Sequence, residues 1–333
     1  MREYHAYPVD KYKKRLRIML KPLFFTALFF PTLAMAQSYI VYDFTNNRML
    51  ETHQPNSVQP IASVTKLMTA IVFLEHNRNA RCTTSITGED IDHIKGTHTT
   101  LPKGTPIACH ELLKAMLVHS DNYAAHALSR SAGMSRVQFI QKMNEKARTL
   151  GMTSTHFSDS SGLSTGNVSS ALDLVKLAKY SLNKAEINYL SNLSSTHINT
   201  GKRRVFVKNT NKLVRDEIFS AAVNKTGYIR ESGYNLVFVN GKQCQNGLIG
   251  VISLNNSSSE NRARFTAASD VYKRQSLNNA SSASRSNFTK NKLEKYGCTA
   301  LNNKVLSDFV EDVQYEEGYD EGGMDALIKK VAE

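Results

Sequence analysis

The 333-residue sequence predicts an α+β fold in which an antiparallel sheet is flanked by helices and carries an inserted helical cluster. Three observations favour this class. After residue 36 the chain begins with a hairpin pattern, continues through a block of helical patterns, and ends in strand patterns separated by short turns. Strands joined by short turns pair antiparallel, and helices inserted between sheet segments are typical of α+β proteins.

The first 36 residues are expected to be a secretory signal and not part of the fold. A basic stretch over residues 11–17 precedes an apolar run over residues 19–33, and Ala34-Met35-Ala36 is a small-x-small cleavage triplet. The apolar run is short for a membrane span. We therefore expect export, with no stable membrane span after cleavage.

The strand and helix patterns after this signal follow in order along the chain. SYIVYDFTNNRML alternates polar and apolar residues, turns at Asn46-Asn47 and predicts a hairpin. A mostly apolar stretch from Ile61 to Leu74 predicts a buried helix. Further helices are predicted over CHELLKAMLVHSDNYAAHALSRSA, which breaks near Ser120, and over MSRVQFIQKMNEKARTLGM and SSALDLVKLAKYSLN. Neighbouring strands are predicted over RVFVKNTN, FSAAVNKTGYI, YNLVFVNGKQ and GLIGVISLN.

The net charge of +13 falls mostly on the body of the chain between residues 37 and 275. A basic exported body suits a polyanionic partner such as a bacterial cell wall, lipid headgroups or nucleic acid. The sequence has no RNP, zinc-finger or helix-turn-helix motif, so no nucleic acid partner is expected.

Export would place the four cysteines in an oxidising compartment, where disulfides form. Cys82 and Cys109 bracket one polar segment and could pair. Four cysteines allow several connectivities, and spacing does not choose among them.

The helix after Pro60 contains Ser63 and Lys66, three residues apart and therefore on one helix face. If Lys66 is desolvated, its pKa falls, and its amine can then accept a proton from the Ser63 hydroxyl. The alternative is structural, with Ser63 as a helix cap and Lys66 extending to water. Taken alone, this motif favours the structural alternative.

Two further motifs lie at positions where a Ser-Lys enzyme would need them. Ser120-Asp121-Asn122 stands at the predicted helix break and could present a hydroxyl and an amide to a cleft, although all three are also good cap residues. Lys225-Thr226-Gly227 lies in a strand pattern. There Gly227 would let a ligand backbone approach, and the two polar side chains would hold an anion; an exposed, bulged strand is the alternative.

The order Ser-x-x-Lys, Ser-x-Asn, Lys-Thr-Gly is far more specific than any one of these motifs. With it, the chain resembles the low-molecular-mass penicillin-binding proteins, which are serine-type D-alanyl-D-alanine peptidases, and is most similar to their endopeptidase branch. The stretches SVTKLMTA, ITGEDIDHIKGT, LGMTSTHFSDSSGLS, KNTNKLVRD and NKTGY support this resemblance from about Ser38 to about Ser269. That branch usually has Ser-Glu-Asn at the middle motif. Asp121 departs from it at a position that points away from substrate.

The resemblance implies a β-lactamase/transpeptidase-like fold, a periplasmic location, and a set of residue roles. Peptidoglycan peptides would be the substrates and β-lactams covalent inhibitors, with no cofactor and no metal. The implied catalytic residues are the nucleophile, its base and the proton relay: Ser63, Lys66 and Ser120. The implied substrate-binding residues, which hold the substrate amide and carboxylate and supply an oxyanion-hole N–H, are Asn122, Lys225, Thr226, Gly227 and Tyr228.

Two rival functions share part of this pattern. A class A β-lactamase needs a glutamate between the second and third motifs to activate the deacylating water. The comparable stretch, HFSDSSGLSTGN, contains Asp159 but no glutamate, so a β-lactamase is the weaker interpretation. A catalytically silent wall-binding or β-lactam-sensing module is the second rival, and the three intact motifs argue against it.

The peptidase domain is expected to end near residue 269. Residues 270–275 read DVYKRQ, which one frame of GATGTGTATAAGAGACAG encodes, the transposon end used to prepare sequencing libraries. We interpret this stretch as an adapter translation and residues 276–333 as a tail of unknown, chimeric origin. The fold normally closes its sheet with a C-terminal helix, expected to begin near RFTAASD. The domain 37–269 would lack most of that helix.

Overall fold

The computed structural model describes residues 37–263 and 265, except residues 78, 80 and 242–247. The strands are β1 (Ser38–Asp43), β2 (Arg48–His53), β3 (Gln59–Pro60), β4 (Thr83–Ser85), β5 (Pro106–Ala108), β6 (Val168–Ser169), β7 (Ser195–Asn199), β8 (Arg204–Lys208), β9 (Ala221–Ile229), β10 (Gly233–Asn240) and β11 (Ile249–Asn256). The α-helices are α1 (Thr65–His76), α2 (Cys109–Val118), α3 (Asn122–Ser129), α4 (Arg136–Thr149), α5 (Ala171–Ser181), α6 (Ala185–Ser191) and α7 (Lys212–Arg215).

A five-stranded antiparallel sheet has the order β2-β1-β11-β10-β9. The first strand of the domain therefore lies inside the sheet, between its hairpin partner β2 and the last strand β11. β9 is at one edge and pairs only with β10 among the described strands, with Lys225 opposite Val237. The prediction of an antiparallel sheet flanked by helices is correct.

The stretch RVFVKNTN was predicted beside the other C-terminal strands, and this part of the prediction is wrong. It forms β8, which pairs with β7 in a separate two-stranded hairpin. Helix α7 follows this hairpin before the chain enters β9. Local alternation identifies a strand but contains no information about its partner, because pairing is decided by packing.

The larger apolar core lies between the sheet and the helices. Helix α1 is buried on nearly every side, and α5 packs against β1 and β11. A smaller core on the opposite face of the sheet includes Val41, Phe238, Val251 and Phe265. Residues 259–263 and 265 are helical, so a helix begins before RFTAASD. The rest of the expected C-terminal helix and residues 270–333 lie outside the described residues.

A disulfide joins Cys82 to Cys109, whose Cα atoms are 5.4 Å apart, which is one of the pairings that the sequence left open. It lies beside the β4–β5 ladder, in which Thr83 faces Ala108. Together they close the base of the segment between Ser85 and Pro106. None of the described helices is long and apolar enough to cross a membrane.

Candidate active site

The first motif lies at the start of α1, where a short 3-10 turn over Ala62–Val64 leads into the helix. Lys66 is completely buried, so the alternative in which it extends to water is wrong. Its Nζ donates to Ser63 Oγ at 2.8 Å, to Asn122 Oδ1 at 2.6 Å and to the Ser161 carbonyl at 2.6 Å. Three fixed acceptors hold the amine beside the hydroxyl.

Burial lowers the pKa of Lys66 from its ordinary 10.5 to about 7. The carboxylates of Asp159, Asp121 and Asp92 oppose this shift without cancelling it. An amine with a pKa near the working pH is suited to act as a general base, because the neutral form is abundant. A hydroxyl and an amine within hydrogen-bond distance of each other are the arrangement that a nucleophile and its base require.

The backbone before Ser63 is strained and closely packed. Ala62 has a φ of 47°, in the left-handed region that L-residues other than glycine rarely adopt. A Cβ on Gly162 would lie 2.0 Å from the Ala62 carbonyl oxygen, and a Cβ on Gly227 would lie 2.6 Å from the Ile61 carbonyl oxygen. The missing side chain of Gly227 therefore makes room for the protein's own backbone just before Ser63. We had predicted that the backbone of a ligand would occupy this space. Strain held by such packing is a common property of functional sites.

The second motif also departs from regular backbone. Ser120 has a φ of 63° and connects α2 to α3 at the predicted break. Asp121 caps α3 by accepting from the Ala124 N–H at 2.8 Å. The helix-cap alternative is therefore correct for Asp121, which has Ser120 and Asn122 on either side of it.

Ser120 meets the third motif directly, since Lys225 Nζ donates to Ser120 Oγ at 3.0 Å and to the Thr226 carbonyl at 2.8 Å. Lys225 is 1% exposed, and burial lowers its pKa well below the ordinary value. The positive charges of Lys66 and Arg262 lower the pKa further. Thr226 is also buried, and its hydroxyl lies 2.7 Å from that of Thr210.

Hydrogen bonds connect the three motifs, from Lys66 to Asn122 and from Lys225 to Ser120, and the site between them is called the cleft from here on. Tyr228 follows the third motif with a side chain that is 53% exposed, and its ring centre lies 4.3 Å from that of Tyr234, with the two ring planes tilted by 31°. The side-chain amide of Asn122 makes two hydrogen bonds. Its Oδ1 accepts from Lys66 Nζ, and its Nδ2 donates to Thr97 Oγ1 at 2.9 Å. The amide orientation is thereby fixed, and one N–H remains for a substrate.

The structural role of Asp159 was not predicted from the sequence. Its Oδ1 accepts from the N–H groups of Ser161 and Gly162, both at 2.6 Å, and its Oδ2 accepts from the Ser164 N–H at 2.8 Å. Although burial opposes the shift, these hydrogen bonds lower the pKa of Asp159. The carboxylate orders the loop that presents the Ser161 carbonyl to Lys66. It is not free to activate a water.

Arg262 was also missed, because no motif marks it. It lies on the helical segment after β11, with its guanidinium carbon 5.6 Å from the centre of the Tyr234 ring. Burial lowers its pKa to about 10. Within the described part of the chain, no carboxylate comes within ion-pair distance of it. Arg262 and Lys225 together make this part of the cleft suited to an anionic group.

This geometry suits serine acyl transfer with a lysine as the base. A family model described as D-alanyl-D-alanine carboxypeptidase, Peptidase S11, matches residues 30–257. The chain belongs to this family. The predictions of a serine-type D-alanyl-D-alanine peptidase and of a transpeptidase-like fold are confirmed.

Relatives and solved structures agree with this assignment. A D-alanyl-D-alanine endopeptidase of Haemophilus influenzae is 62% identical over 314 residues, covering 94% of this chain and 100% of that protein. A D-alanyl-D-alanine endopeptidase of Escherichia coli K12 is 33% identical, covering 62% of this chain and 67% of that protein. The crystal structure of the Streptomyces K15 DD-transpeptidase has a TM-score of 0.64 at 25% identity, covering 71% of this chain and 96% of that one. A D-alanyl-D-alanine carboxypeptidase from Mycobacterium tuberculosis shares the fold, with a TM-score of 0.59 at 24% identity over 68% of this chain and 88% of that one.

Proposed function

We propose that this protein hydrolyses D-alanyl bonds of peptidoglycan peptides through an acyl-enzyme on Ser63, as an endopeptidase or carboxypeptidase. One observation carries the proposal, which is the 2.8 Å contact between Ser63 Oγ and the fully buried amine of Lys66. A buried amine with a pKa of about 7 can take the hydroxyl proton at neutral pH.

In the first half of the reaction, Lys66 takes the proton from Ser63 as its oxygen attacks the D-alanyl carbonyl carbon. The negative oxygen that develops would accept from the N–H groups of Ser63 and Tyr228. Losing one such donor commonly costs about 3–4 kcal/mol of transition-state stabilisation. Ser120 would pass its proton to the leaving amine as the C–N bond breaks, and would take one from the Lys225 ammonium, whose Nζ donates to it. An ester on Ser63 remains.

In the second half, water attacks this ester and gives a proton through Ser120 to Lys225, while Ser63 leaves as the alcohol with the proton that Lys66 holds. Asn122 would hold the acyl-side amide. Lys225 and Thr226, supported by the buried guanidinium of Arg262, would bind the carboxylate of the residue that leaves. A β-lactam would form the same ester by ring opening, and it would stall because its leaving group stays attached.

The β-lactamase alternative requires a carboxylate free to activate the deacylating water. The Asp159 carboxylate already accepts from backbone N–H groups on both oxygens, which favours the peptidase. The name of the 62% identical relative supports the endopeptidase form of the activity.

The test uses purified cell-wall material and a soluble cross-linked stem-peptide dimer, with products separated by chromatography. Wild type should release products from the dimer, whereas Ser63→Ala and Lys66→Arg should not. Ser195→Ala on the separate β7–β8 hairpin serves as the matched control and should retain activity. Product release by a folded Ser63→Ala variant would contradict the proposal.

We place the protein in the periplasm on the strength of the signal pattern in residues 1–36, which lie outside the described residues. Cell fractionation with a tagged full chain checks this location. Recovery of the uncleaved chain in the cytoplasm would contradict it.

The proposal that residues 270–275 mark a join between two gene fragments is refined by two observations. The alignment with the H. influenzae relative covers 94% of this chain, so it extends into the tail after residue 275. The tail segment SLNNASSASRSNF (276–288) also matches SLNNSSSENRARF (253–265) at eight of thirteen positions. The tail therefore repeats the end of β11 and the segment of Arg262, and we propose that it belongs to the same family.

On this account the natural protein has one copy of the repeated segment. A transposon-free reading of the gene should lack DVYKRQ, and its persistence would overturn the proposal. A variant that lacks residues 253–275 should unfold at a higher temperature than the full chain, since it removes the foreign stretch and keeps one copy.

A further inference from the structure

A loop over residues 91–100 is ordered by a single carboxylate at the edge of the cleft. Asp92 is 4% exposed; its Oδ1 accepts from the N–H groups of Ile94 and Lys95, and its Oδ2 accepts from the N–H and hydroxyl of Thr97. Burial opposes the shift, yet the hydrogen bonds from Thr97 and the backbone lower the pKa of Asp92 to about 2. The loop therefore keeps its shape at any ordinary pH.

The same loop is fastened to the wall that contains the second motif. Thr97 Oγ1 accepts from Asn122 Nδ2 at 2.9 Å, and the Thr97 carbonyl accepts from the Tyr123 hydroxyl at 2.9 Å. Thr99 Oγ1 donates to Asp121 Oδ2 at 2.6 Å. Because of these contacts, the position of Lys95 is tied to the position of the second motif.

Lys95 reaches across to the other wall, where its Nζ lies 2.5 Å from Glu231 Oε1. Glu231 is in the turn that follows β9, two residues after Ile229. Ser232 Oγ fixes that turn by accepting from the Ile229 N–H at 3.2 Å and donating to the Gly233 carbonyl at 2.9 Å. The Lys95–Glu231 bridge thus connects the wall of the second motif with the strand of the third motif.

Two exposed apolar side chains lie beside this bridge in the sequence, one on each wall. Ile94 is 54% exposed next to Lys95, and Tyr228 is 53% exposed three residues before Glu231. Lys95 and Glu231 are themselves partly exposed, at 29% and 43% of their side-chain surfaces. A partly exposed ion pair is weak and is screened by salt, so a substrate can displace it.

We propose that the Lys95–Glu231 bridge closes the end of the cleft beyond Tyr228, on the acyl side of the scissile bond, and determines how well a substrate with a long acyl-side chain competes with one whose acyl side is short. The proposal rests on the peptidase function proposed above. A chain that continues along β9 past Tyr228 has to open the bridge, whereas a short peptide that ends before it does not. Lys95 and Glu231 are then specificity residues outside the chemical steps.

The test compares kcat/KM for two cross-linked peptides with the same leaving stem, one with a full stem on the acyl side and one with the acyl side shortened to its last residues. In Lys95→Met and Glu231→Gln the ratio of kcat/KM, full acyl side over shortened acyl side, should rise about two- to fivefold, the range for a partly exposed ion pair. The charge-swapped double variant, Lys95→Glu with Glu231→Lys, should return the ratio towards wild type. The matched control is the exposed pair Lys142–Glu145 on α4, 2.6 Å apart, where Lys142→Met should leave the ratio unchanged.

The salt dependence of this kcat/KM ratio is a second measurement, and a structural defect would not change it. Between low salt and 0.5 M salt, the wild-type ratio should rise and the ratio of the single variants should stay constant, because the bridge is already absent. Equal ratios in wild type and both single variants would overturn the bridge proposal and leave the peptidase function intact. Failure of wild type to cleave either peptide would overturn both.

Discussion

The buried amine of Lys66 makes the acylation rate of Ser63 depend on pH near neutrality. An ordinary lysine with a pKa of 10.5 is neutral in roughly one molecule in 3,000 at pH 7. Burial lowers the pKa of Lys66 to about 7, so about half of the molecules have a neutral amine at that pH. The structure therefore supplies about a thousandfold more of the competent base.

The acylation rate should increase with pH, because the neutral amine of Lys66 is the active form. Below about pH 6 the rate should rise close to tenfold per pH unit, and above about pH 8 it should level off. The assay is stopped-flow acylation by a fluorescent penicillin from pH 5 to pH 9 at constant ionic strength. Lys66→Arg keeps the positive charge and cannot lose a proton at these pH values, so its rate should fall by about a thousandfold and show no rise.

A rate that is flat from pH 5 to pH 9 would refute this reasoning, as would a Lys66→Arg variant within tenfold of wild type. Burial also lowers the pKa of Lys225, so the assignment of the titration to Lys66 needs a separate check. Replacing Asp159 distinguishes a titration of Lys66 from one of Lys225, because the negative charge of Asp159 raises the pKa of Lys66.

Three further outcomes follow from the same contacts. Asp159→Asn should move the midpoint of the rising limb to lower pH, and should lower the free energy of unfolding by roughly 1–3 kcal/mol as loop hydrogen bonds are lost; an unmoved midpoint would contradict the assignment to Lys66. Gly162→Ala should cost about 2–4 kcal/mol in urea unfolding, because its Cβ would lie 2.0 Å from the Ala62 carbonyl oxygen at a φ of 88°. Cys109→Ser, which opens a disulfide across 27 residues, should cost about 3–4 kcal/mol, and an unchanged melting temperature would show that this disulfide is not needed.

The part of the site that could be predicted is the part encoded in short local patterns. Ser63 and Lys66 share a helix face through their spacing alone, and the break at Ser120 is visible in the helix pattern. The sheet and its flanking helices follow from alternation, helical periodicity and turn residues. These signals depend on neighbours in the chain, so they are readable without the tertiary structure.

The part that could not be predicted depends on contacts between distant segments. The third acceptor of Lys66 is the backbone carbonyl of Ser161. Every residue has such a carbonyl, so its role cannot be recognised from the sequence. Arg262 joins the cationic end of the cleft from a helix that begins after the last strand. The partner of β8 and the Lys95–Glu231 bridge are likewise results of packing and have no sequence signature.

The central claim is that Ser63 is a nucleophile in a folded, working site. The most direct test is the intact mass of the mature protein after brief exposure to a penicillin, with Ser63→Ala treated in parallel. We expect wild type to gain the mass of one penicillin and the variant to gain nothing. A folded wild type that gains no mass, or a variant that gains as much as wild type, would contradict the account.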